Sequence, residues 1–215
     1  CTCEQNVICP RDKADEMIAA LKNNGAYYVG AQEDADKVRE SAFPDGVFNK
    51  EWTGTTVQQM ADLAGLTGVP ADAKVIVCCT KGYAKDEVLA KEKLFPMLAL
   101  FLYDSWEECM EIARANLAME GMGHSVVIHS NTAEHIEAVP GVVNVSRYAV
   151  NQVGGTALGG AMDNGLNPTT TLGCGTWGNN IISENLWYTH LMNVSRISYK
   201  VPNMYIPSDE EIWAE

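Results

Sequence analysis

Cysteine and histidine are the side chains of this sequence best suited to covalent and proton-transfer chemistry near neutral pH. Of the seven cysteines, Cys1, Cys3 and Cys9 gather at the start, Cys78 and Cys79 adjoin, and Cys109 and Cys174 stand apart. Cys1 is a candidate nucleophile, because a thiolate attacks a carbonyl carbon well and leaves readily from a thioester. The bland reading of any single cysteine is inert packing. Cys1, Cys3 and Cys9, joined by His124 and His129, offer the alternative of metal ligation. None of these spacings makes the paired C-x2-C of zinc sites, and no metal is expected.

His124 follows Gly-Met-Gly at the start of an apolar run, where a strand edge presents it to a cleft. Its structural alternative is a histidine hydrogen-bonded within the fold. His129 lies an odd number of residues further on, so in a strand the two rings face opposite sides and do not form one site. Glu92 opens the segment Glu92-Lys93-Leu94-Phe95-Pro96, which on pattern alone reads as a solvated Glu-Lys pair before a strand whose entry the proline fixes. The stretch Gly173-Cys174-Gly175-Thr176-Trp177-Gly178 is either a flexible turn or a loop whose bare backbone approaches a ligand. It carries neither a P-loop ending nor a G-x-G-x-x-G fingerprint.

The elements that must position these residues alternate between helical and extended patterns, which argues for an α/β fold. Arg11 to Asn23 places Met17, Ile18 and Leu21 on one helical face and stops at Asn24-Gly25. Ala26 to Val29 is a short strand, Glu33 to Ala42 a polar helix ended by Pro44-Asp45-Gly46, and Thr56 to Leu66 a third helix. Val75 to Cys79 is a continuous apolar run, expected of a strand covered on both faces, and Met97 to Tyr103 is another. Between Asp104 and Met119, Trp106, Cys109 or Met110, Ala113 and Leu117 recur at helical spacing. His124 to His129 reads as a strand, Thr132 to Ala138 as a short helix and Val142 to Val145 as a further strand, a succession that suggests a mostly parallel sheet. From Gly154 to Gly178 no core period survives, and irregular stretches of that length are more often functional than idle.

Composition bounds the partners. A chain of 215 residues, 47% hydrophobic, buries one substantial core without disulfides or metal. Its net charge of −13 repels phosphate backbones and anionic lipid, so neither nucleic acid nor membrane is an expected partner. The odd cysteine number suits a reducing cytoplasm. No apolar stretch approaches the roughly 20 residues needed to cross a bilayer. The chain starts at Cys rather than Met, which reads as a processed amino terminus or a fragment.

Several segments, taken together and in this order, resemble the coenzyme A-acylating aldehyde dehydrogenases over nearly the whole chain. The match runs through Cys1-Thr2-Cys3-Glu4-Gln5, Glu92 to Pro96, Gly121 to Ser125, Pro168 to Gly178 and Ser183-Glu184-Asn185-Leu186. The resemblance implies an aldehyde dehydrogenase catalytic domain with a mostly parallel three-layer sheet, lacking the amino-terminal nucleotide-binding domain. It implies that Cys1 attacks an aldehyde, that hydride passes to NAD or NADP, and that the thioester is taken by coenzyme A as co-substrate. Glu92 then falls on the position that holds the nicotinamide ribose, and His124 on one that helps deprotonate Cys1 or the coenzyme A thiol.

The same resemblance implies a cysteine-bearing domain over 1–165. A Gly/Thr-rich return segment and tail over 166–215 would pack on another domain or subunit. The complete enzyme is expected to be a homo-oligomer, cytoplasmic or inside a bacterial microcompartment, and this stretch alone is expected to be inactive. The rival is an amino-terminal-nucleophile amidohydrolase using Cys1, which the absence of β-rich patterning disfavours; a third reading makes the tail an assembly element only.

Overall fold

The structure is a computed structural model and describes residues 1–214. Strands β1 (Asn6–Pro10), β2 (Ala26–Val29), β3 (Val75–Cys79) and β4 (Met97–Tyr103) form a sheet in the order β1-β4-β3-β2, with every neighbouring pair parallel. Parallel neighbours need crossovers, and helices supply them: α1 (Ala14–Asn23) carries the chain from one edge strand to the other, and α2 (Gln32–Ala42) and α3 (Val57–Ala64) lie between β2 and β3. Helix α3 is closed at both ends by its own sequence. Thr56 and Gln59 make reciprocal capping bonds, and Gly65 takes the left-handed conformation that ends the helix.

Because side chains alternate along a strand, the sheet is covered on both faces. Ile76, Cys78, Ala99 and Phe101 point into a large core with Val38, Ala42, Trp52, Met60 and Leu89. Cys9, Val77 and Leu100 point the other way, onto Met17, Ile18 and Leu21 of α1. This is the expected three-layer parallel architecture. The continuous apolar runs of β3 and β4 follow from it, since neither face of those strands meets water.

The strand β1 escapes a reading for alternation. Only Val7, Ile8 and Cys9 are apolar, and Pro10 cannot donate to a ladder; the edge position tolerates it. Helix α4 (Trp106–Asn116) follows β4 and is capped by Ser105, whose hydroxyl accepts from the Glu108 amide. Its Trp106, Met110 and Ala113 stripe packs on a second sheet, formed by β5 (Gly123–Ile128) and β6 (Val145–Val150), again parallel and joined through α5 (Ala133–Ala138).

One expected boundary is corrected here. The strand placed at 142–145 is instead Val145–Val150. Val142 and Val143 belong to the turn after Pro140-Gly141, with Val143 buried against Met110 and Val139, and Arg147 sits inside the strand, buried, where its charge disguised the pattern. Beyond β6 come a four-residue helix α6 (Gly154–Ala157), an isolated antiparallel bridge between Leu172 and Asn185, and a largely exposed tail with one short helix α7 (Asp209–Ile212). Among the described residues no helix is long and apolar enough to cross a membrane.

Candidate active site

The segment Cys1–Gln5 leads directly into β1 and is braced from two sides. On one side the Gly154 amide donates to Glu4 Oε1 at 2.6 Å, and a side chain at Gly155 would press on Cys3 Sγ at 3.2 Å. On the other, the Lys93 amide donates to Gln5 Oε1 at 2.6 Å, and the Asn6 amide group donates to the Ala90 carbonyl at 2.9 Å. Cys1 and Cys3 are exposed, whereas Cys9 and Cys78 are buried. Burial pushes the Cys78 thiol up to about 12 and that of Cys109 up to about 11, so neither is a neutral-pH nucleophile.

The Glu92 loop is held as firmly. Arg39 and Glu87 form a buried ion pair at 2.6 Å, and Glu87 also accepts from the Lys81 and Leu89 amides. Glu92 itself is exposed; its amide donates to Glu120, and among the described residues its carboxylate makes no hydrogen bond or ion pair. A free carboxylate fits the diol of a ribose, which brings two hydroxyl donors.

Beside it, the expected solvated pair fails for Lys93, which is only 3% exposed. Its ammonium donates to Asn6 Oδ1 and to the carbonyls of Leu89 and Lys91 at 2.9, 2.6 and 2.9 Å. Burial pushes this group down to about 7. A nitrogen facing three acceptors and no donor fits the form with three hydrogens, and we take the charged form as the one the cage is built for. Lys93 thus pins the Glu92 loop to the strand that follows Cys1.

His124 is the second residue of β5 and half-buried. Gly123 before it has φ +82°, and a Cβ there would lie 2.2 Å from the Cys174 carbonyl oxygen, so only glycine lets the two motifs touch. Burial pushes the imidazole below the usual histidine range, and the positive charge of Arg147 pushes the same way. His129 lies past the end of β5 and is exposed, apart from this site. Among the described residues no three His, Cys, Asp or Glu side chains are grouped to hold a metal ion.

Sequence reasoning missed Gln5, Asn6, Lys93 and Arg147. No local signal marked Lys93 or Arg147, since Lys93 lies between the exposed Glu92 and Leu94 and Arg147 between the half-buried Ser146 and Tyr148. A groove of about 550 Å³ runs past Tyr83, Lys85, Lys91 and Glu120, of which Lys91 precedes Glu92 and Glu120 accepts from the Glu92 amide. A groove of about 360 Å³ is lined by Arg39, Glu40, Phe43 to Gly46 and Val88, and none of the candidate residues lines it.

No protein-family model matches the chain. It is 50% identical over 213 residues to a succinate-semialdehyde dehydrogenase (acetylating) of Clostridium kluyveri, a match covering 99% of this chain and 47% of that protein. It is 33% identical over 222 residues to a sulfoacetaldehyde dehydrogenase of Acholeplasma sp, covering all of this chain and 45% of that protein. The crystal structure of an acetylating aldehyde dehydrogenase from Geobacillus thermoglucosidasius superposes with a TM-score of 0.86 at 33% identity, over 96% of this chain and 45% of that one. The chain spans about half the length of the curated relatives it matches. Sequence and fold agree, and over nearly its whole length the chain is homologous to acylating aldehyde dehydrogenases.

Proposed function

We propose that the protein containing this chain converts an aldehyde, coenzyme A and NAD(P)+ to an acyl-CoA and NAD(P)H, reversibly, with Cys1 as nucleophile. The Cys1 sulfur adds to the aldehyde carbon, and the oxyanion so formed is met by the backbone N–H of Cys1 or Thr2. Bound NAD(P)+ supplies the hydride acceptor. Loss of hydride from the carbon leaves an acyl thioester on Cys1, and the coenzyme A sulfur displaces the Cys1 thiolate from it. His124 takes the proton from the attacking thiol, a role suited to an imidazole kept neutral by burial and by neighbouring positive charge. Glu92 holds the ribose hydroxyls with its free carboxylate, and the Lys93 cage holds the loop that carries it.

The observation that carries this reading is that the segment bearing Cys1 and the loop bearing Glu92 are bonded together: Gln5 Oε1 accepts from the amide after Glu92, and Asn6 Oδ1 accepts from the Lys93 ammonium. Four parallel strands with helices on both faces also support it over an amidohydrolase built on β-rich layers. Residues 1–165 act as the cysteine-bearing domain. The tail, with Ile197, Tyr199, Tyr205, Ile206 and Trp213 all exposed, packs on another domain or on a second subunit of a homo-oligomer, in the cytoplasm or inside a microcompartment.

The test is turnover of the full-length protein. With aldehyde, coenzyme A and NAD(P)+ present, Cys1→Ala abolishes NAD(P)H formation, Glu92→Gln raises the KM for the dinucleotide, and His124→Ala slows acyl transfer by about 100-fold. Unchanged turnover in Cys1→Ala removes Cys1 from the mechanism.

A further inference from the structure

Arg147 lies in the middle of β6, 2% exposed, and among the described residues it has no carboxylate partner. All its acceptors are neutral. Nε donates to Ser125 Oγ at 3.2 Å, Nη1 to the Gly173 carbonyl at 2.7 Å and to Asn185 Oδ1 at 3.5 Å. Nη2 donates to the His124 carbonyl at 3.1 Å and approaches Cys174 Sγ at 3.8 Å. Holding a full positive charge away from water without a counter-ion is costly, and a hydrophobic residue would fill a strand interior at lower cost. The groups it reaches say what the charge is for. Ser125 Oγ, which accepts from Arg147, lies 2.9 Å from His124 Nδ1. One guanidinium thus fixes both the backbone and, through Ser125, the ring of His124.

We propose that Arg147 is the positioning residue for His124, fixing the ring through Ser125 and keeping it uncharged so that it can accept a proton. This rests on the reading of His124 as the proton acceptor given above. Ser125 Oγ has two lone pairs, one for Arg147 Nε–H and one for His124 Nδ1–H, which leaves the Nε2 lone pair free for the attacking thiol. Protonating the ring would place an imidazolium beside a buried guanidinium with little water between them. The charged group facing His124 is Arg147 from β6, with the Cys174 thiol of the Gly/Thr-rich loop adjoining Arg147. No carboxylate is hydrogen-bonded or ion-paired to the ring among the described residues, so nothing offsets the positive charge. The sign follows: the neutral ring persists to lower pH than in an ordinary histidine, and loss of the Arg147 charge raises its midpoint.

The experiment uses the full-length protein and measures the pH profile of acyl transfer to coenzyme A for wild type, Arg147→Gln, Arg147→Lys, Ser125→Ala and His124→Ala. Arg147→Gln moves the acidic limb to higher pH, so that its rate relative to wild type is about two- to fourfold lower at about pH 6 than at about pH 8. Arg147→Lys, which keeps the charge, leaves the limb close to that of wild type. Ser125→Ala lowers the plateau with the limb in place, because the ring loses its support but not its charged neighbour. A limb unmoved in Arg147→Gln, while His124→Ala removes it, overturns the proposal and leaves the reading of His124 intact. A limb that persists in His124→Ala overturns that reading instead. Should Arg147→Gln not fold, Ser125→Ala decides, since an unchanged plateau there also overturns the positioning role.

Discussion

Replacing Lys93 by Met removes the ammonium that joins the Glu92 loop to β1 and leaves a side chain of similar length in its place. Three hydrogen bonds are lost, to Asn6 Oδ1 and to the Leu89 and Lys91 carbonyls. Bonds to a charged group are worth about 1.5–3 kcal/mol each, so three return roughly 4.5–9 kcal/mol. Burial works against them: the push from 10.5 down to about 7 corresponds to about 5 kcal/mol. The net contribution then spans roughly 0 to 4 kcal/mol, about 2 kcal/mol at its centre and far below the sum of the bonds, because most of what they return offsets desolvation.

Equilibrium urea unfolding of wild type and Lys93→Met reads the difference directly, and hydrogen exchange at the Lys93 amide, which donates to Gln5, reads the local effect. The expected result is a loss of about 2 kcal/mol with faster exchange at that amide. A variant at least as stable as wild type with unchanged exchange refutes the cage as a clamp. A loss above about 5 kcal/mol refutes the desolvation argument.

Three further outcomes follow from the same contacts. Arg39→Met strands the Glu87 carboxylate, which is 1% exposed, and costs about 3–5 kcal/mol; the double change Arg39→Met with Glu87→Leu costs less, and equal losses in thermal or urea unfolding contradict the pairing. Gly123→Ala forces a β-carbon into a left-handed backbone and against the Cys174 carbonyl, so it destabilises by at least about 2 kcal/mol and lowers acyl transfer, whereas Gly141→Ala, where a side chain meets nothing, does neither. Under iodoacetamide at about pH 8, mapped by mass spectrometry, Cys1 and Cys3 are alkylated first and Cys78 only after unfolding; early modification of Cys78 contradicts its burial.

The sequence made the central strands legible because they are buried on both faces. Val75–Cys79 and Met97–Tyr103 are apolar throughout, and their limits were readable without any partner. The edge strand β1 was not, since its pairing is decided by β4 across more than 90 residues and its own pattern is three apolar residues before a proline. Strand β6 was displaced because a buried arginine reads as a surface residue until its acceptors are known, and those come from Gly173, Asn185 and β5. The same blindness applied to Lys93. Cys1, Glu92 and His124 were legible as motif positions. That hydrogen bonds tie the Cys1 segment to the Glu92 loop and to Gly154 was not, because the contacts of Gln5 to Lys93 and Glu4 to Gly154 are encoded by no local spacing.

The measurement that bears most directly on the chemistry is the mass of the cysteine peptides after the full-length protein meets an acyl-CoA in the absence of reduced dinucleotide. Reversibility of the thioester step requires the acyl group to move to Cys1. The account predicts one acyl mass on the peptide containing Cys1, removed by free coenzyme A and missing in Cys1→Ala. An acyl mass on any other cysteine, or an undiminished acyl mass in Cys1→Ala, would contradict it.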